Sequence, residues 1–229
     1  MSCFVKNGIN QIGIEFGMRM LIPLTCQFSQ PMLFIKASLL FLFIFPWHPK
    51  EEQKPYVLNY IEQYKYVAID EMERSGIPAS IIIAQAIVET NAGTSNLARK
   101  SNNHFGIKCK DYWTGETYFS PDDDRDAKGN IIPSCFRLYD TPTDSYRDHS
   151  DFLMMTQHYQ GLFGYDKTEY VQWAKGLQLC GYATDIQYAD KLIKTIKLYG
   201  LDELDYYTVQ YVERSSLENA EATTTPKSK

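Results

Sequence analysis

The chain has 229 residues, 44% of them apolar and 22% charged, the balance of a folded globular protein and not of a disordered or collagen-like one. That length holds one domain of ordinary size or two small ones. A net charge of −5 and a pI of about 5.4 argue against nucleic acid as a partner, since such proteins carry a basic excess.

Charge divides the chain near Pro49. Residues 1–50 set Lys6, Arg19, Lys36 and Lys50 against Glu15 alone, and the remainder is acidic. Met32–Trp47 reads MLFIKASLLFLFIFPW. Its uncharged run, Ala37–Trp47, falls short of the ~20 apolar residues of a spanning helix. It fits the ~7–15-residue core of a signal peptide behind the positive charge of Lys36. Phe45-Pro46-Trp47 offers no small-x-small cleavage site. Residues 1–50 are therefore expected to form a leader or membrane anchor, with residues 32–47 touching the membrane. The protein is expected to be exported to the periplasm or cell envelope and to act as a monomer. A buried apolar helix or strand is the structural alternative for this stretch.

The domain proper is expected over residues 51–207. Pro55 opens a helix whose apolar face is Val57, Tyr60, Ile61, Tyr64, Val67, Ala68 and Met72; Gly76 and Pro78 end it and start the next. Ala79–Thr90 is apolar on nearly every side and should be the central buried helix. Asn102–Lys110 and Gly115–Phe119 read as short strands, residues 121–130 (PDDDRDAKGN) as an acidic turn, and Cys135–Tyr139 as a returning strand. Three helices follow: Ser145–Gln157 behind Thr143 or Asp144, Glu169–Leu177 behind Thr168, and Ile186–Tyr199 behind Thr184 or Asp185. Residues 208–229 are poor in apolar side chains and are expected to be disordered. His48, His104, His149 and His158 stand apart, with no H-x-x-x-H pair, so no zinc hydrolase and no cofactor is expected.

Glu89 is the most informative position. It ends the most apolar helix, where desolvation and the negative helix C-terminus both favour the protonated acid. A carboxylic acid kept neutral near working pH suits protonation of a glycosidic leaving oxygen; a solvated glutamate at a helix end is the plain alternative.

The surrounding residues extend that reading. AQAIVETNAGTSNLA (84–98), NNHFGIK (102–108), CFRLYDTPTDSYRDHSDFL (135–153) and GYATDIQYADKLIKTI (181–196) together resemble, in order, the blocks of the glucosaminidase domains of bacterial peptidoglycan hydrolases (glycoside hydrolase family 73, the autolysin and flagellar-rod type). Thr90 departs from the usual serine. The resemblance implies an α+β, mainly α, lysozyme-like helical domain with a small β-hairpin lobe. It also implies hydrolysis of β-1,4 bonds after N-acetylglucosamine in peptidoglycan glycan strands, with Glu89 as the general acid.

The family's second carboxylate lies on the hairpin, which here offers Glu116, Asp122, Asp123, Asp124 and Asp126; Asp124 is favoured, then Asp123. Tyr182, in GYATD, matches the family's cleft tyrosine. Gln85 is a candidate cleft residue, and Phe105, Tyr112 and Trp113 are candidate sugar-stacking platforms. Asp148 and His149 read as a helix-surface or buttress pair. Two other functions remain open on the sequence: a non-catalytic glycan-binding module, and an endoglucosaminidase acting on N-linked glycans. Finally, FGIKC and CFRLY flank the hairpin. Antiparallel pairing of these strands would bring Cys109 and Cys135 opposite one another, within reach of a disulfide, which persists in an oxidising compartment.

Overall fold

The computed structural model describes residues 51–207. The expected leader (1–50, including the membrane stretch 32–47) and the expected disordered tail (208–229) lie outside the described residues. Within 51–207 the architecture is mainly helical with one hairpin. α1 spans Pro55–Ser75, α2 Ala79–Thr90, α3 Asn96–Ser101, β1 Thr117–Arg125, β2 Ile131–Arg137, α4 Pro142–Met155, α5 Tyr170–Leu179 and α6 Tyr188–Tyr199; 3₁₀ turns cover Gln157–Gly164 and Leu201–Tyr206.

α2 is the centre of the fold. Ile81, Ile82, Ile83, Ala84 and Ala86 are fully buried, and the helix packs against α1, α5, α6 and the last 3₁₀ turn. A helix apolar all round is stable only when covered on all sides. Its N-terminus is capped from far along the chain: Asp205 accepts from the Ser80 backbone N–H at 2.8 Å and from its hydroxyl at 2.6 Å. Its C-terminus turns through three left-handed residues, Asn91 (φ 51°), Ala92 (φ 55°) and Gly93 (φ 70°). Thr90 holds that turn together, donating to Ala86 O at 2.6 Å and accepting from the Gly93 N–H at 2.9 Å.

The hairpin is longer than the sequence suggests. β1 runs on through Asp122 and Asp124 to Arg125, so the turn proper is confined to residues 126–130, where Asp126 accepts from the N–H groups of Lys128 and Asn130. The register is regular from Thr117↔Arg137 to Pro121↔Pro133 and breaks before Arg125↔Ile131. Two prolines facing each other supply no N–H to the ladder, and the pairing slips there. The expected strand at Asn102–Lys110 reduces to one bridge, Lys108↔Phe136. The backbone in this stretch is bent around Asn103, whose side chain bonds Ile107 O and Arg137 O.

Helix starts also differ from expectation. α4 begins at Pro142 under a capping box made by Thr141 and Asp144. α5 begins after Glu169, and α6 only at Tyr188. Asp166 and Asp185 instead make side-chain turns with the backbone ahead of each helix, the local alternative that short acidic side chains offer the chain.

Candidate active site

α2 delivers Glu89 to the rim of a cleft of about 410 Å³ that Phe105, Lys108, Asp122, Arg137 and Tyr182 also line. Glu89 is solvent-exposed at the cleft, yet enough protein surrounds its carboxyl to strip away part of its hydration. That desolvation raises its pKa above the usual carboxylate value; the hydrogen bond from Tyr188 and the positive charge of Lys191 oppose the rise. The Tyr188 hydroxyl donates to Glu89 Oε1 at 2.8 Å, and Gln85 Nε2 donates to the same hydroxyl oxygen at 3.0 Å. Gln85 is thus wholly buried behind Glu89, away from the cleft wall where the sequence reading put it. One helical turn separates the two on the same face of α2, and the inward side of that face is core.

Tyr182 stands on the wall of the same cleft. Its ring stacks on Tyr188 at 5.5 Å and meets His149 edge-on at 6.1 Å. Burial and the nearby Glu89 carboxylate hold its hydroxyl in the protonated form. Phe105 borders the cleft but is nearly all buried, with one face covered by the His149 ring at 4.0 Å. His149 lies in the core, and burial lowers its pKa to about 3, so the helix-surface alternative for this residue does not hold. Asp148, its neighbour, pairs with Arg137 Nη1 at 2.7 Å and accepts from the Tyr139 hydroxyl at 2.5 Å.

Tyr112 and Trp113 sit around Arg137, and neither is among the cleft-lining residues. The Arg137 guanidinium lies 4.5 Å from the Trp113 ring centre and 5.4 Å from that of Tyr112, and it donates to the Tyr112 hydroxyl at 3.1 Å. A guanidinium stacked on aromatic faces is a stable arrangement in its own right, and it draws both rings off the expected sugar platform.

On the hairpin, Lys108 Nζ pairs with Asp122 at 2.9 Å and with Asp124 at 2.8 Å. Asp122 borders the cleft and Asp124 does not. Asp124 is half-buried, and the hydrogen bond from Lys108 holds its pKa below the usual value. The side chain of Asp123 lies outside the described part of the structure. Cys109 and Cys135 are joined, with Cα atoms 5.4 Å apart, where the Cys109 N–H donates to Cys135 O at 2.8 Å.

Three features of the site carried no separate signal in the sequence. Tyr188 has the spacing of a core aromatic on α6. Lys108 is one lysine among many until the hairpin folds over it, and Arg137 shows its partners only once β2 and α4 meet. A second depression, about 460 Å³, opens around Ile61, Tyr66, Tyr199 and Leu204. It contains neither Glu89 nor Tyr182, and its Glu62 is tied to Lys65 at 2.7 Å. Among the described residues no cluster of three or more His, Cys, Asp or Glu is arranged to hold a metal.

Residues 65–201 match the family model described as mannosyl-glycoprotein endo-beta-N-acetylglucosaminidase. The chain is similar to exo-glucosaminidase LytG of Bacillus subtilis, 36% identical over 138 residues that cover 58% of this chain and 48% of LytG. It is similar to peptidoglycan hydrolase FlgJ of Escherichia coli K12, 30% identical over 130 residues, 55% of this chain and 41% of FlgJ. The chain thus spans less than half the length of these two relatives. Among solved structures it resembles the glycoside hydrolase domain of Salmonella typhimurium FlgJ (27% identity, TM-score 0.53, covering 71% of this chain and 98% of that one). It also resembles a peptidoglycan hydrolase of Sphingomonas sp. A1 (30% identity, TM-score 0.53, covering 64% and 91%). The lysozyme-like helical domain with its hairpin lobe, the cleft at the end of α2 and the match over residues 65–201 agree: the chain belongs to the glucosaminidase family.

Proposed function

We propose that the protein is an endo-acting glycoside hydrolase that cuts the β-1,4 bond after N-acetylglucosamine in peptidoglycan glycan strands. One observation carries the reading: Glu89, inside the AQAIVET block, stands on a cleft wall with its pKa raised by desolvation. An acid of that kind can protonate the leaving oxygen at near-neutral pH. The similarity to LytG, an exo-glucosaminidase, and FlgJ, a peptidoglycan hydrolase, supports the substrate class.

Placement in the cleft supports the following roles. Glu89 is the general acid. Asp122, the hairpin carboxylate that borders the cleft, is the second carboxylate, in place of Asp124 and Asp123. Tyr182 orients the sugar or the attacking water beside Glu89. The substrate lies outside the cytoplasmic membrane, and the Cys109–Cys135 bridge suits an oxidising compartment; both support export to the envelope.

The test is digestion of purified sacculi, with the new reducing ends identified by mass spectrometry. Reducing-end N-acetylglucosamine is expected. Reducing-end N-acetylmuramic acid overturns the bond assignment, and no release by the folded protein overturns the enzyme assignment. Glu89→Gln should keep the fold and lose ~10²–10⁴-fold in rate; activity within threefold of the parent removes Glu89 from the mechanism.

A further inference from the structure

Gln85 has no access to the cleft, yet it is linked to Glu89 through Tyr188. Its side chain is fully buried on α2. Nε2 bonds the Tyr188 oxygen at 3.0 Å, the Tyr188 hydroxyl bonds Glu89 Oε1 at 2.8 Å, and Gln85 Oε1 is buried with no partner. The chain of bonds has a direction. Tyr188 has one proton to give. An ionised Glu89 is acceptor-only and must take that proton, so the Tyr188 oxygen can only accept from Gln85, and the amide must present nitrogen.

A protonated Glu89 allows a second arrangement in principle. The acid proton would point at Tyr188, and Tyr188 would donate to Gln85. That arrangement buries the proton away from the substrate. It also requires the amide to present oxygen, which means rotating a fully buried side chain through half a turn. We propose that Gln85 is a positioning residue: its amide fixes the direction of the bond chain through Tyr188, so that Glu89 carries its acid proton on Oε2, the oxygen that Tyr188 does not touch. This rests on Glu89 being the general acid.

The other charged and titratable groups around Glu89 are Lys191 and Tyr188 on α6, Tyr182 ahead of it, and Lys108, Lys110, Asp122 and Arg137 lining the same cleft. Substitution at Gln85 leaves all of them in place, so a change in the pH profile reports on the bond chain. Losing the donor that polarises Tyr188 weakens its bond to Glu89, and Glu89 then holds its proton to higher pH.

The experiment is the pH–rate profile for peptidoglycan cleavage, with kcat and KM separated, in Gln85→Met, Gln85→Glu, Tyr188→Phe, Gln85→Glu/Tyr188→Phe and Glu89→Gln. The basic limb of kcat should move upward in all but the last. The expected order is Gln85→Met least, Tyr188→Phe more, by about one pH unit, the scale of one hydrogen bond to a charged group. Gln85→Glu replaces the donor by an acceptor and should lower kcat at least tenfold with KM little changed. In the Tyr188→Phe background the same substitution should add less than half of the limb shift it causes alone.

A limb at the parental position in Gln85→Met overturns the proposal, and that arm stands even if Gln85→Glu does not fold. An equal shift by Gln85→Glu with and without Tyr188 also overturns it. Activity retained in Glu89→Gln points to a different failure, that of Glu89 as the acid.

Discussion

Lys108 Nζ lies 2.9 Å from Asp122 Oδ2, tying one wall of the cleft to the hairpin strand that brings Asp122 to its edge. The lysine is 31% exposed and the aspartate 38%, so the pair contributes at most ~1 kcal/mol to stability. Its value is positional. Lys108→Met should leave the melting temperature within a few degrees while lowering kcat/KM on sacculi about tenfold. A loss of activity matched by a comparable loss of stability would refute a positional role.

Asp122→Asn is expected to reduce cleavage at least tenfold, because Asp122 is the hairpin acid on the cleft wall. Asp124→Asn should cost less than threefold, since Asp124 points its charge at Lys108 outside that wall. Parallel rate measurements on the two variants decide between them, and the reverse ranking would restore Asp124 as the second carboxylate.

Burial pushes the Asp205 carboxyl up to about 6, with the Ser80 bonds opposing part of the rise. The unfolded value is about 3.9, so the folded state holds this proton more tightly. The stability associated with it is complete below pH ~4 and is lost as the pH rises through about 6. Asp205→Asn removes that slope. Melting temperatures measured from pH 4 to 7 should fall more steeply for the parent than for the variant. Parallel curves would show that Asp205 does not titrate in this window.

The disulfide closes a loop of 26 residue steps around the hairpin. Chain-entropy arithmetic gives such a cross-link roughly 3–4 kcal/mol. A Cys109→Ser/Cys135→Ser variant should therefore melt well below the parent, and reductant should destabilise the parent but not the variant. Equal melting temperatures with and without reductant would show the bridge to be energetically idle.

Gly93 sits at φ +70°, and a Cβ there would meet Tyr60 Cε2 at 2.9 Å. Gly93→Ala combines left-handed strain with that contact, and a destabilisation of about 1–3 kcal/mol is expected. The turn also sets where the last turn of α2 ends, so cleavage should fall along with the melting temperature. A variant as stable as the parent would mean that Tyr60 moves aside freely.

The helical part of this fold was legible because its signals are local. The apolar run of α2, the Gly76 cap and the amphipathic stripe of α1 all lie within a few residues of what they determine. The hairpin was read less well: four acidic and proline residues in a row look like a turn, yet β1 continues through them because Lys108 neutralises two of the acids. Glu89 and Tyr182, each read from its block, line one cleft, but Tyr112 and Trp113 read as sugar platforms because nothing nearby in sequence announces Arg137 as their partner. Gln85 and Tyr188 belong together only through a contact 103 residues apart, a relationship that periodicity does not encode.

Asp205 caps α2 from 125 residues downstream of Ser80. The helix that bears Glu89 therefore cannot complete its N-terminus until the last 3₁₀ turn of the domain has been made. An emerging chain that stops short of Asp205 leaves two buried donors of Ser80 without an acceptor, a cost of about 1–3 kcal/mol each. In synthesis the helix that bears Glu89 is thus made well before the segment that secures it, and a partly made chain has Glu89 but not the scaffold that holds it in place.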